Sequence, residues 1–112
     1  MNATSAPVAP EVDEFRIAGL TPAPSLGVRP PRVAESPAAL ECRHLRTLAL
    51  NDLKGESADT WVVFGQVVGI HIDDAVIVDG AVDVTRYRPL SRLGYLDYAA
   101  VETVFSMTRP AG

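Results

Sequence analysis

The run Thr60-Trp61-Val62-Val63-Phe64-Gly65-Gln66-Val67-Val68-Gly69-Ile70-His71-Ile72-Asp73 constrains the fold more than any other part of the chain. β-Branched and aromatic side chains lose rotamer freedom against a helical turn but fit a pleated, half-buried surface. The run therefore predicts a long strand. Gly65 and Gly69 inside it mark a bend, a bulge, or a close approach by another backbone or a ligand, as expected where a sheet curls into a barrel. Asp73-Asp74 ends the run, Ala75-Val76-Ile77-Val78 reads as a further short strand, and Asp79-Gly80 reads as a tight turn.

Upstream, the alternation over Ala38 to Leu50 predicts a partner strand. Leu40, Cys42, His44 and Arg46 fall on one parity and Ala39, Glu41, Arg43 and Leu45 on the other. A helix over the same residues stays open as an alternative. The polar stretch Asn51 to Asp59 then reads as the loop of a long hairpin. Before Ala38 the character changes, since seven of the nine prolines lie between Pro7 and Pro37, which excludes a continuous helix or a central strand there. Within that lead, Val12 to Leu20 has acids early and Gly19 late, so one or two helical turns are expected. Leu20 to Ser25 should be extended, because a residue before proline is pushed out of the α region.

Length and composition bound the rest. A chain of 112 residues with 47% hydrophobic and 21% charged residues is expected to form one domain around a core. The single-domain reading divides into a Pro-rich lead (1–37), a long hairpin with a following strand (38–80) and a C-terminal loop, short helix and tail (81–112). A formal charge of -4 argues against tracking nucleic-acid phosphates or anionic membranes. One cysteine, Cys42, rules out an internal disulfide framework and a multi-thiolate zinc site, and suits a reducing compartment. No apolar run approaches the roughly 20 residues of a membrane span, and Met1 to Pro7 lacks the features of a secretory signal, so a cytoplasmic protein is expected.

The alphabets of protein-borne catalysis are nearly absent. The two histidines and one cysteine offer no metal-ligand spacing, and no Gly-rich phosphate loop occurs. Any redox chemistry would be carried by a bound cofactor, with the protein supplying shape and electrostatics. His71 has two readings: a histidine hydrogen-bonded at a sheet surface, or a donor or stacking partner in a cleft. Cys42 reads as a small buried hydrophobe. Thr85 to Tyr98 holds three arginines and three tyrosines. It can grip an oxyanion or an aromatic ring, or it can be a solvated loop whose arginines pair with Asp83, Asp97 and Glu102.

Phe64 to Asp74, then Asp79-Gly80, Arg88-Pro89-Leu90-Ser91-Arg92-Leu93-Gly94 and Asp97-Tyr98, resemble the C-terminal part of flavin reductase-like proteins of the FMN-binding split-barrel group. Met1 to Ser5, Asp13 to Leu20 and Leu40-Glu41-Cys42 resemble the same family in the same order. The resemblance implies a mainly β fold, a Greek-key split β-barrel with short helices, incomplete in this chain. It also implies a homodimer, a site for FMN, and hydride transfer to flavin from NADH or NADPH, with FAD or riboflavin as further flavin substrates and a monooxygenase as a partner. His71 matches the family's histidine near the flavin or nicotinamide, which makes it the expected catalytic residue. Arg88, Ser91 and Arg92 match an arginine-bearing loop near the cofactor, beside Pro89, and Asn2, Thr4 and Ser5 match a polar stretch on the cleft side.

Members of the family carry an additional N-terminal segment, and Met1 coincides with an internal position of the family pattern. The chain is thus expected to be a shortened form, whose open strand edges a partner would cover. The alternative to a flavin reductase is therefore a non-catalytic split-barrel dimer or interaction domain that has lost productive flavin binding.

Overall fold

The computed structural model describes residues 2–112; Met1, quoted in the resemblance, lies outside them. The chain is mainly β, with two short helices, α1 (Glu14–Ala18) and α2 (Val84–Tyr87). Its strands are β1 (Pro22–Ala23), β2 (Arg32–Val33), β3 (Ala38–Asn51), β4 (Ser57–Ile72), β5 (Ile77–Val78), β6 (Ala81–Val82), β7 (Leu90–Arg92) and β8 (Tyr98–Ala100). They pair as successive couples, β1 with β2, β3 with β4, β5 with β6 and β7 with β8. The residues form two compact units, the first ending at His71 and the second beginning at Ile72.

In the first unit, α1 follows from its flanks. The Asp13 carboxylate accepts the Phe15 amide at 3.0 Å, and Gly19 closes the helix at φ 64°, with its own amide donating to the Arg16 carbonyl. β1 and β2 pair antiparallel, Pro22 opposite Val33 and Ala23 opposite Arg32, and so clasp the intervening Pro-rich segment into a loop. The clasp is reinforced at its open end. Glu35 accepts the Thr21 amide with both oxygens, at 2.9 and 3.1 Å, and Ala34 donates to the Thr21 carbonyl at 2.8 Å.

β3 and β4 form the long hairpin that the valine-rich run predicts, so the helical alternative for Ala38 to Leu50 is set aside. The connection of residues 52–56 is too short for a parallel crossover, so the pair is antiparallel. The turn is drawn tight by Asp52, whose carboxylate accepts the Lys54 and Glu56 amides at 2.8 and 2.9 Å.

The second unit is built from short pieces. Ala75 and Val76 do not extend a strand as expected: the Asp73 carboxylate accepts the Ala75 amide at 2.9 Å, and a 3-10 turn over Asp74–Val76 precedes β5. β5 and β6 then meet with Val78 opposite Ala81, leaving Asp79 (φ 50°) and Gly80 (φ 78°) as a two-residue turn with both central residues in the left-handed region. Asp83 caps α2 by accepting from the Thr85 amide at 2.9 Å and the Thr85 hydroxyl at 2.6 Å. Those Thr85 bonds hold its carboxyl below the ordinary range. β7 and β8 close the unit with Ser91 opposite Ala99 and Arg92 opposite Tyr98.

The apolar content expected to make a core is spent elsewhere. Among the described residues only Val76 and Glu41 are buried. On β4 the apolar side chains of both parities face outward, with Trp61 57%, Val63 67% and Ile70 64% exposed, and Phe64 and Val68 exposed beside them. A strand that is apolar on both faces is built to be covered on both.

Candidate functional site

At the root of the β3–β4 hairpin sits the one buried charged residue among the described residues, Glu41, 3% exposed. Its carboxylate is fully subscribed. One oxygen, Oε1, accepts the Leu26 amide at 2.6 Å and lies 2.5 Å from His71 Nε2; the other, Oε2, accepts the Gly27 amide at 2.6 Å. The Leu26 amide, then His71, then the Gly27 amide, hold the carboxyl down to about 2. A buried carboxylate costs free energy unless its oxygens are satisfied, and three donors at this distance satisfy them.

The backbone is shaped to admit this group. A Cβ added at Gly69 would lie 3.3 Å from Glu41 Oε2, and one added at Gly27 would lie 3.2 Å from the same atom. Either glycine is therefore a close-approach position, and the expectation of such contacts along β4 is met at Gly69 by a carboxylate. Gly65 plays the same part against the neighbouring strand, where an added Cβ would lie 3.2 Å from Cys42 Cβ. Cys42 itself is exposed, which corrects the expectation of a buried thiol. Successive side chains of a strand face opposite ways, so a strand that turns Glu41 inward turns Cys42 outward.

Next to Glu41 an open cavity of about 370 Å³ lies between the Pro-rich loop and the first half of β3, lined by Ser25, Val28, Pro30, Arg32, Ser36 and Leu40, among others. Arg32 brings a buried Nε with no hydrogen-bond partner. Neither Glu41 nor Arg32 was expected to contribute to a site. The partners of Glu41 lie 14, 15 and 30 residues away, and the only trace in the sequence is the glycine at positions 27 and 69.

The other expected site residues separate by unit. In the first, His71 reaches Glu41; the Asn2 carbonyl accepts the Ser5 amide at 3.2 Å and the Ser5 hydroxyl at 2.7 Å; Thr4 lines a small cavity of about 140 Å³ with Glu14, Phe15, Leu20 and Val33. In the second, the acid-pairing reading holds for two arginines. Arg86 sits 3.6 Å from Asp83, and Arg88, in the left-handed region at φ 47°, pairs with Glu102. Arg92 differs. It donates to the Tyr95 carbonyl at 3.3 Å, and the rest of its guanidinium fork has no partner among the described residues. With Ser91 adjacent on β7, that fork offers donors of the kind that grip a phosphate.

The chain is thus mainly β, built of paired strands, with a histidine and an arginine fork among its polar positions. Residues 1–91 match the profile of the flavin reductase like domain, and the chain belongs to that family. The match takes in Asn2, Thr4, Ser5, His71, Arg88 and Ser91, and stops one residue short of Arg92. The chain is 36% identical over 110 residues to an uncharacterised protein of Halalkalibacterium halodurans, covering 98% of this chain and 52% of that protein. It is 35% identical over 86 residues to one of Aquifex aeolicus, covering 76% and 40%. Among solved structures, nitrilotriacetate monooxygenase component B from Bacillus cereus superposes with a TM-score of 0.84 at 28% identity over 95% of this chain and 52% of that one. A Shewanella frigidimarina protein with a split barrel domain, described as a flavin reductase, gives 0.79 at 25% identity over 97% and 53%. The split-barrel fold expected from the sequence is therefore the fold of this chain, which spans about half the length of the proteins it matches.

Proposed function

We propose that this chain is the hydride-accepting part of an FMN-dependent flavin reductase, with NADH or NADPH as donor. The observation that carries the reading is the single family match running from Asn2 through the hairpin root to Ser91, on a split-barrel fold. In this reading Arg92, Ser91 and Arg88 hold the flavin phosphate, Asn2, Thr4 and Ser5 add polar contacts, and His71 meets the reacting rings. FMN, held by these residues, would supply the redox chemistry as a hydride acceptor. The chain's own part is to bind, orient and shield, since hydride transfer between stacked rings depends on positioning. FAD and riboflavin are further flavin substrates, and a monooxygenase is the proposed recipient of the reduced flavin, on the likeness to a monooxygenase component B. The proposal places the protein in the cytoplasm, where an exposed Cys42 thiol stays reduced.

The test is a titration of the purified chain with FMN, followed by absorbance and fluorescence, and then NADH and NADPH oxidation against a no-protein control. A perturbed flavin spectrum with flavin-dependent nicotinamide oxidation is expected. An unperturbed spectrum at about 100 μM FMN, within the range where such substrates work, would overturn the reading.

The two exposed apolar faces of β4 favour a second reading, a β domain completed by another copy of itself and without turnover. A homodimer through β4 belongs to both readings, and sedimentation of wild type and Trp61→Ser tests it: at least a tenfold weaker association is expected of the variant. Flavin-dependent oxidation above the control eliminates the second reading.

A further inference from the structure

The cavity beside Arg32, the exposed ribbon of β4 and the buried Glu41 are the features of the first unit that stand out. Glu41 carries furthest, because its partners are specified atom by atom. An ionised carboxylate is an acceptor only. Its contact with His71 Nε2 at 2.5 Å therefore requires the ring proton to sit on Nε2. A neutral imidazole holds one proton, so Nδ1 is left as the acceptor and as the single nitrogen at which His71 can gain or lose a proton. Sequence position alone does not choose between the two ring nitrogens; Glu41 does.

The same carboxylate fixes the loop. The Leu26 and Gly27 amides reach it from the Pro-rich segment, so one residue on β3 sets both the ring at the end of β4 and the wall of the neighbouring cavity. Gly27 and Gly69 leave the room it needs. Arg43, two residues further along β3 on the same face as Glu41, donates to the Gly27 carbonyl at 3.5 Å. This is a built arrangement, with contributions from the loop, β3 and β4.

We infer that Glu41 is the positioning residue of the site, holding His71 as its Nε2–H tautomer with Nδ1 as the working atom, and tying the Leu26–Gly27 loop to the same point. The functional half of this statement rests on the flavin reductase reading; the tautomer half does not. Hydrogen-bonding carboxylates behind catalytic or ligating histidines act in this way elsewhere, and their loss reduces activity by about 10–100-fold.

The experiment uses the full chain with nitrogen-15-labelled histidine. Long-range proton–nitrogen correlation at a pH where the ring is neutral separates a protonated Nε2 from a protonated Nδ1. In wild type, Nε2 is expected to carry the proton. In Glu41→Leu no acceptor is left for the ring, so His71 is expected to lose its preference for the Nε2–H tautomer, whereas Glu41→Gln, whose side-chain carbonyl can still accept from Nε2–H, is expected to keep part of the wild-type signature. A wild-type spectrum with the proton on Nδ1 overturns the inference without any variant needing to fold, and so does a Glu41→Leu spectrum identical to wild type. Nicotinamide oxidation supplies the second readout. A fall in kcat of about 10–100-fold in Glu41→Leu, with a smaller change in KM for the nicotinamide, is expected. Wild type turning over with Glu41→Leu unchanged in kcat overturns the positioning role. Wild type failing to oxidise nicotinamide at all overturns the flavin reductase reading, and leaves the tautomer to decide the structural half.

Discussion

The two ends of the β3–β4 hairpin are held in different ways. At the root, Glu41, Gly69 and His71 meet the Pro-rich loop through hydrogen bonds of 2.5–2.6 Å, and the backbone has been cleared of side chains to let the carboxylate in. Toward the turn, Trp61, Val62, Val63 and Phe64 stand in solvent. The contrast teaches that order in this hairpin is not set by hydrophobicity, since its apolar side chains stay exposed along its length. It is set by one polar node, whose acceptor on β3 draws donors from the Leu26–Gly27 loop and from β4, while the apolar stretch stays exposed.

The contrast breaks most visibly at Gly69. In Gly69→Val the new Cβ would start 3.3 Å from Glu41 Oε2 and 3.4 Å from Glu41 Cβ and Cδ, before its two methyl groups are placed. Overpacking of that kind costs about 1–3 kcal/mol, roughly 5–15 °C in Tm for a domain of this size. Val63→Thr, 67% exposed toward the turn, is expected to stay within about 0.5 kcal/mol. Thermal denaturation of the two variants measures the difference, and equal shifts would show that the root is no better packed than the ribbon.

Acid sharpens the same comparison without a mutation. Glu41 has its carboxyl pulled from 4.5 to about 2, so the folded state binds its proton more weakly than the unfolded chain does. The stability it contributes is complete above about 4.5 and is lost as the pH falls toward about 2. Glu35, held low by Thr21, and Asp83, held low by Thr85, act with the same sign. Denaturation followed across this range should show wild type losing its advantage over Glu41→Gln as pH falls. A constant gap between the two would mean that the Glu41 charge plays no part in holding the root.

How much of this was legible in the sequence depends on how local the cause is. The Asp79-Gly80 turn was readable because both residues tolerate positive φ and the pattern needs nothing further away. The α1 boundaries were readable from Asp13 and Gly19 for the same reason. β4 was readable from its own composition. The node was not, because Glu41 sits in an alternating polar stretch and nothing near it in the chain announces Leu26, Gly27 or His71. The misreading of Cys42 follows directly: without knowing that Glu41 points inward, the apolar neighbour was assigned the inside. Arg92 shows the intermediate case, since its segment was recognised but only the structure separates its free fork from the paired Arg88.

The local turn gives a smaller effect than the root. Gly80→Ala forces a side chain onto a residue at φ 78°, at a cost of about 1 kcal/mol. Denaturant titration should place it between Gly69→Val and Val63→Thr. A cost near zero would mean that the β5–β6 turn relaxes to a conformation that L-residues accept.

The smallest effect is expected at the surface pair of the second unit. Arg88 and Glu102 are 56% and 69% exposed, so water and salt screen their attraction, and the pair must also hold two long side chains in one geometry. Glu102→Gln is therefore expected to change stability by no more than about 0.5 kcal/mol, and by less in high salt. The contrast with Glu41 is then one of setting rather than charge: both are carboxylates facing a nitrogen base, but only Glu41 is buried, triply bonded and joined to the backbone of another segment. The consequence for binding runs the other way. Removing Glu102 frees the Arg88 guanidinium for an anion, so if Arg88 contributes to a phosphate site, Glu102→Gln should bind FMN more tightly while leaving the melting temperature where it was. Weaker FMN binding by Glu102→Gln would instead make the pair a strut that holds the segment beside Arg92 in shape.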